Sequence, residues 1–425
     1  MKFPLQDFLV VSASNPWTYV VFGLIGFGFG FALEMSGFGN SRKLAAQFYF
    51  TEMTVLKVMF TAIVTAMVLT FGAVSLGLLD FSQVWVNPTY LGSGIVGGLI
   101  MGVGFIVGGF CPTTSIAATA TGKIDGMLFL GGGLVGAFLF GETEHLFDNW
   151  YNHAGYFGRL TLDQVFGLPT GVVVMLVVLM ALFMFWGAEQ LERIFGSKDL
   201  SREPRFRFAG AVVLVALAAS IIFIGQPTLE ERYQKITFER QVNEQTVRRS
   251  ADEVLADRSV FITPAEAYKA AYNQAMNPVY LDVRPESDYN LYHIQDAISL
   301  PPERVLDAVP ALLTEPAANT VYILMSNDET AAVRAWKQLV ASSVPNVYIL
   351  EGGVNNWISF FSEPDDPALT PDPTAGDDRL RYLFPTALGD RYSSCSPDPI
   401  EWESLTFEAR IKLQLKRDKS GGGCG

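Results

Sequence analysis

GGFCPTTSIAATATGKIDG, residues 108–126, decides how the first half of this 425-residue chain is read. It lies between two long apolar runs, yet is itself too polar to cross a bilayer. Pro112 and the hydroxyls of Thr113, Thr114 and Ser115 interrupt the hydrophobic pattern. Irregular backbone beside membrane spans is tolerated only where it lines a cavity or is buried in protein.

A shift of about 72 residues finds the same pattern upstream. Gly37-Phe38-Gly39 falls on Gly109-Phe110-Cys111, Gly26 on Gly98, Gly30 on Gly102, and Ala45-Ala46 on Ala117-Ala118. The counterpart segment NSRKLAAQFYFTEM, residues 40–53, is also too short or too polar to span. The pattern predicts an internally duplicated unit of span, short re-entrant segment and span, with a substrate site between the repeats. Short helices starting there offer free N–H groups, which hold anions without a lysine. Candidate transport residues are Gly37, Gly39, Asn40, Ser41, Gly109, Cys111, Pro112, Thr113, Thr114 and Ser115, because polar groups at membrane depth are usually functional. Gly26 and Gly30 are expected only to let helices approach.

Working outward, six apolar spans are expected over 17–38, 55–79, 90–110, 124–140, 165–187 and 208–225, giving an α-helical polytopic membrane domain over 1–226. The start, MKFPLQDF, is too lightly charged for a secretory signal, so the first span is expected to be retained. The loop 189–207 carries Arg193, Lys198, Arg202, Arg205 and Arg207, whereas 141–164 carries Arg159. The positive-inside rule makes the former cytoplasmic and sends everything after Gln226 outward.

Residues 227–425 hold about −11 of the formal net charge of −13. No basic patch with interleaved aromatics supports nucleic-acid binding. Three histidines and three cysteines lie scattered without ligand spacing, so no metal or other cofactor is implied, and no phosphate loop supports ATP-driven coupling. A charged stalk is expected over 227–258. Over 259–361, strands VYLDV (279–283), VYIL (321–324) and VYIL (347–350) alternate with helical stretches such as TAAVRAWKQLVASS, predicting a parallel α/β sheet. Thr263 is a plausible N-cap, with Pro264 at the first helical position and Glu266 completing a capping box. Residues 362–425 read as a Pro/Asp-rich linker holding an exposed or paired Cys395, then a half-buried strand over LTFEARIKLQLK (405–416), then a GGGCG tail.

SGFGNSRKLAAQ (36–47) and the opening stretch resemble the YeeE/YedE family of sulfur-compound permeases, which includes bacterial thiosulfate transporters; the resemblance covers about 17–141. It implies a multi-pass protein of the bacterial inner membrane in which cysteines after the glycine turn pass a sulfur anion by weak S–H hydrogen bonds. Cys111 matches such a position, and Gly39 stands where the first repeat would have its own cysteine.

LDVRPESDYNLYHIQDAISLP (281–301) and LEGGVNNW (350–357) resemble a rhodanese domain. That implies loop-fixing roles for Asp282 and Arg284, a turn at His293, and a cysteine just after the central strand. Leu324 stands nearest that cysteine position, Met325 follows, and Asp328 and Glu329 add negative charge to the loop, so no sulfurtransferase chemistry is expected. The tail resembles the swinging arm of Sox-type sulfur carriers, which implies sulfur held on Cys424 and periplasmic sulfur-transfer proteins as partners. Two functions follow: a transporter of thiosulfate or a related anion with a periplasmic sulfur-docking module, or a membrane-anchored sulfur carrier without transport. Pairing of Cys395 with Cys424 stays open.

Overall fold

Long uncharged runs dictate the first of two compact units in the computed structural model, which describes residues 16–81, 84, 86–196, 206–242, 245–314, 319–362, 370–372 and 376–413. In chain order the helices of this unit are α1 (Pro16–Met35), α2 (Ser41–Ala45), α3 (Thr54–Ser75), α4 (Leu91–Gly108) and α5 (Pro112–Ala120). They continue with α6 (Ile124–Thr143), α7 (Asp148–His153), α8 (Leu162–Phe166), α9 (Thr170–Phe195) and α10 (Phe206–Ile224). Each expected span is helical; five are long and apolar enough to cross a membrane, and the first, Tyr19–Met35, is apolar but shorter.

Helices α3, α9 and α10 form a packed bundle around Val64, Val68, Val174, Val178, Ala218 and Ile221. A buried carboxylate pins one end: Glu192 accepts from Lys57 Nζ and from the Met53 N–H, both at 2.6 Å. A second small core of Phe38, Leu44, Val55, Phe110 and Ala118 forms where the short helices α2 and α5 meet. Gly26, Gly30, Gly98 and Gly102 have no atom within 4 Å of where a Cβ would sit. Contrary to expectation, Gly26 and Gly30 do not bring helices of this chain together.

The second unit begins in the stretch expected to be a stalk. Its α11 (Leu229–Gln234), hairpin β1 (Thr237–Val242) and β2 (Gln245–Ser250), and α12 (Ala251–Ala256) fold onto the α/β core. Tyr233 and Val254 are buried, and the Phe238 ring stacks 5.9 Å from Trp336. Apolar residues spaced among the charges are what turn a stalk into a packed face.

Next come β3 (Phe261–Ile262), α13 (Pro264–Ala271), β4 (Asn277–Asp282), α14 (Glu286–Leu291), β5 (Ile298–Ser299) and α15 (Val305–Leu312). Then follow β6 (Thr320–Met325), α16 (Thr330–Ala341), β7 (Val347–Leu350) and α17 (Gly353–Phe361). The five strands β3 to β7 pair in parallel in the order β3-β7-β6-β4-β5, with β6 central and buried along its whole length. Such continuous apolar strands are what a sheet covered on both faces requires. A short hairpin, β8 (Thr370–Pro371) and β9 (Tyr382–Leu383), follows.

Three local readings are corrected. Thr263 caps α13 by accepting the Glu266 N–H at 3.2 Å, but the Glu266 carboxylate does not complete a capping box. Its Oε1 instead accepts from the N–H groups of Arg410 and Ile411 at 2.7 and 2.8 Å. Residues 405–413 accordingly form no strand; the Lys412 N–H goes to the Tyr348 hydroxyl and Arg410 Nη1 takes the Phe261 carbonyl at the sheet edge. Side chains meet the hydrogen-bonding needs of this segment, while Leu405, Ile411 and Leu413 pack on the core. Cys395 is a buried free thiol rather than an exposed one. Leu415 and Cys424 lie outside the described residues.

Candidate functional site

Both repeats turn on a left-handed glycine, Gly37 at φ +74° and Gly109 at φ +70°, conformations that a Cβ would strain. Phe38 and Phe110 follow and are equally buried, each 1% exposed. The repeats then differ by one residue. Cys111 caps α5 directly, with Pro112 at the first helical position, whereas the cap of α2 is Asn40, one residue beyond the position aligned with Cys111.

The two turns interlock. A Cβ on Gly109 would lie 3.0 Å from the Ser41 carbonyl oxygen, and one on Gly39 would lie 3.9 Å from Ala118 Cα on α5. Gly109 therefore admits the short helix of the first repeat, and Gly39 lies in ordinary contact with that of the second. Ser41 Oγ donates to Asp125 Oδ2 at 2.8 Å, tying the start of α2 to the start of α6. Gly126 packs α6 against α5, where an added Cβ would meet Ala118 Cβ at 2.6 Å.

The remaining predicted residues divide. Cys111 is half-buried; its Sγ accepts from the Thr114 N–H at 3.5 Å and lies 3.3 Å from Thr114 Oγ1. Thr114 and Ser115 are buried and bond within their own turn, Thr114 Oγ1 with the Cys111 backbone and Ser115 Oγ with the Pro112 carbonyl at 2.7 Å. This is the usual behaviour of hydroxyls near a helix start. Thr113 is half-buried and Pro112 exposed. Asn40 Oδ1 accepts from the Arg42 N–H at 3.1 Å. Thus Gly39, Ser41 and Gly109 meet across the repeats, and Thr114 and Ser115 shape the Cys111 turn.

Charged groups around these turns escaped the sequence reading. A Cβ on Gly37 would meet Lys43 Nζ at 3.0 Å, and one on Gly39 would meet Lys123 Nζ at 2.7 Å and Glu34 Oε2 at 3.0 Å. The available signal was the presence of ionisable residues at the edges of apolar runs in a charge-poor segment.

The second unit holds another site, the loop after β6. Arg284 is 1% exposed, bonds both oxygens of Asp282, and reaches Asn327 Oδ1 at 3.2 Å and the Tyr292 carbonyl at 2.6 Å. His293 stacks on Tyr289 and its Nδ1 lies 2.8 Å from the Tyr289 carbonyl oxygen. The Leu324 side chain is buried within β6.

At the N-terminus of α16, the N–H groups that would cradle an anion are already taken. Asp328 N and Ala331 N donate to the two carboxylate oxygens of Asp378, at 3.2 and 3.0 Å. Thr330 N donates to Asp328 Oδ1 at 2.7 Å, and the Glu329 N–H turns to the same oxygen. Burial opposes the charged form of Asp328, but the Thr330 N–H, the Asp378 carboxyl and the N–H groups of Asp378 and Glu329 outweigh it and hold its carboxyl below the usual range. Burial and the neighbouring Asp328 push Asp378 up. Beside this pair lies a cavity of about 470 Å³ lined by Asp328, Thr330, Asn355, Ser359, Arg381 and Tyr382.

The family model for sulphur transport matches residues 35–243, and that for the rhodanese-like domain matches residues 263–360. The chain joins a sulphur-transport domain to a rhodanese-like domain. Interlocked turns, Cys111 and the repeat-crossing contacts all lie within the sulphur-transport domain, and the Asp328–Asp378 loop closes the rhodanese-like domain's central strand. With five membrane-capable helices among the described residues, this is a multi-pass membrane protein. No curated protein and no solved structure matches the chain.

Proposed function

We propose that the sulphur-transport domain carries thiosulfate, or a related sulfane-sulfur anion, across the bacterial inner membrane at the contact between α2 and α5. The observation that carries this reading is the half-buried Cys111 thiol, placed as the cap of a nine-residue helix beside the interlocked turns of the two repeats. A thiol is a weak donor and α5 presents its positive end there, so an anion is held without being trapped. Residues 40–53 and 112–120 act as the re-entrant segments that line the route. Uptake of radiolabelled thiosulfate into cells expressing the full chain tests the proposal. Loss of uptake in Cys111→Ala supports the thiol's role, and unchanged uptake removes it.

In the same reading the rhodanese-like domain faces the periplasm, as loop charge argues. It serves as a docking module for periplasmic sulfur-transfer proteins, not as an enzyme. Two observations support this: Leu324 is buried near the cysteine position, and Asp378 occupies the anion cradle. Cys424 on its glycine tether then delivers sulfur to the outer mouth. The second reading, a carrier without transport, rests on that terminal GGGCG alone. Mass spectrometry of the C-terminal peptide after exposure to a sulfur donor tests the arm, and uptake by a chain lacking its last five residues separates arm from pore.

A further inference from the structure

The first repeat lacks the thiol of the second, yet the space where it would stand is filled. Gly37 and Gly109 share a left-handed φ and Phe38 and Phe110 are equally buried, and the repeats differ at the third residue, Gly39 against Cys111. Beside Gly39 the nearest atom to an added Cβ is Lys123 Nζ at 2.7 Å, and the next is Glu34 Oε2 at 3.0 Å. Lys123 belongs to the turn between α5 and α6 in the second repeat, and reaches the first because Gly126 lets α6 lie close on α5.

Other lysines near the turns are committed. Lys43 Nζ donates to the Ser36 carbonyl at 2.9 Å and lies 3.8 Å from Glu52, and Lys57 is held by Glu192 at 2.6 Å. Among the described residues, the Lys123 ammonium has no hydrogen bond and no ion pair. Asp125, two residues on, accepts from Ser41 Oγ. Glu34 is the carboxylate that shares the Gly39 surface with Lys123 without closing an ion pair on it.

We propose that Lys123 is the specificity-determining cation of the first repeat, seating a sulfur oxyanion over Gly39 in competition with Glu34. The inference rests on the transport reading above and deepens it: the route has one thiol station at Cys111 and one ammonium station at Gly39. A Cβ at 39 would push the flexible end of Lys123 aside, because its Nζ lies 2.7 Å from where that Cβ would sit. An ammonium discriminates by charge, so a dianion is preferred over a monoanion of similar size.

The test is the initial rate of radiolabelled thiosulfate uptake by proteoliposomes holding the full chain. Lys123→Gln is expected to raise KM by about tenfold with little change in maximal rate, and Lys123→Arg to stay within about threefold of wild type, as expected for one lost charge-assisted contact. Glu34→Gln, which removes the competitor, lowers KM. Gly39→Ala, which puts a methyl group in the place of the ammonium, raises KM, so it and Glu34→Gln decide the matter if Lys123→Gln fails to reconstitute. An unchanged KM in Lys123→Gln, or a raised KM in Glu34→Gln, overturns the inference while leaving the transport reading standing. Wild-type uptake equal to that of empty vesicles overturns both.

Discussion

Asp328 and Asp378 hold each other reciprocally: the Asp328 N–H donates to Asp378 Oδ1 at 3.2 Å, and the Asp378 N–H returns to Asp328 Oδ2 at 2.8 Å. A carboxylate of the chain thus occupies the N–H groups of the loop that follows the central strand β6. The full chain should show no thiosulfate-to-cyanide sulfur transfer above the uncatalysed rate. Asp378→Ala should free the N–H groups of Asp328 and Ala331, costing about 2 kcal/mol of domain stability. Faster amide hydrogen exchange at those two positions is the readout. Unchanged exchange would mean that the pair does not close the loop.

Glu266 gives the rhodanese-like domain a pH dependence of definite sign. Burial pushes its carboxyl above the ordinary value of 4.5, against the pull of the Ile411 and Arg410 N–H groups. A raised folded-state value means that its contribution is fully present below about 4.5 and is lost as pH rises through the folded value. Thermal unfolding of Glu266→Gln should therefore lack the decline in stability that the parent shows across that window. Parallel pH profiles for the two proteins would contradict the assignment.

Cys395 should be inert in the folded chain. Burial raises its thiol to about 11, so almost no thiolate exists at pH 8. Iodoacetamide footprinting with mass spectrometry should modify the half-buried Cys111 in detergent and leave Cys395 unmodified until denaturant is added. Rapid native labelling of Cys395 would show that the segment around it opens.

The Lys57–Glu192 pair stabilises the bundle only as a pair. Lys57→Met takes this ammonium away from a wholly buried carboxylate, at a cost of about 3 kcal/mol. Replacing both residues by apolar ones of similar volume should recover most of that loss. Thermal melts of the purified proteins in detergent measure both, and equal destabilisation by the single and double changes would argue against the pairing.

Much of this architecture was legible in the sequence, because the signals are local. Long apolar runs gave the six helical segments, period and strand composition gave the parallel sheet, and the repeated glycine turn reappears as matched left-handed residues at Gly37 and Gly109. What was missed depends on partners distant in sequence. Glu266 bonds 144 residues away, where a capping box would have kept it local. The alternating run 405–413 packs as expected of its apolar side chains, but its backbone N–H groups go to the Glu266 carboxylate and the Tyr348 hydroxyl and not to the neighbouring edge strand. Period two reports which side is buried, and says nothing of which partners the backbone finds. The one-residue slip that makes Asn40 the cap of α2 is likewise invisible to an alignment of repeats, as are the meetings of Ser41 with Asp125 and of Lys123 with the Gly39 surface.

The central claim is that a sulfur anion crosses at the interlocked turns, and reconstituted transport tests it most directly. Proteoliposomes holding the full chain should take up radiolabelled thiosulfate saturably, and Cys111→Ala should lower the initial rate about tenfold, as expected for one lost hydrogen bond to an anion. Uptake no faster than in empty vesicles, or a Cys111→Ala rate equal to wild type, would contradict the account.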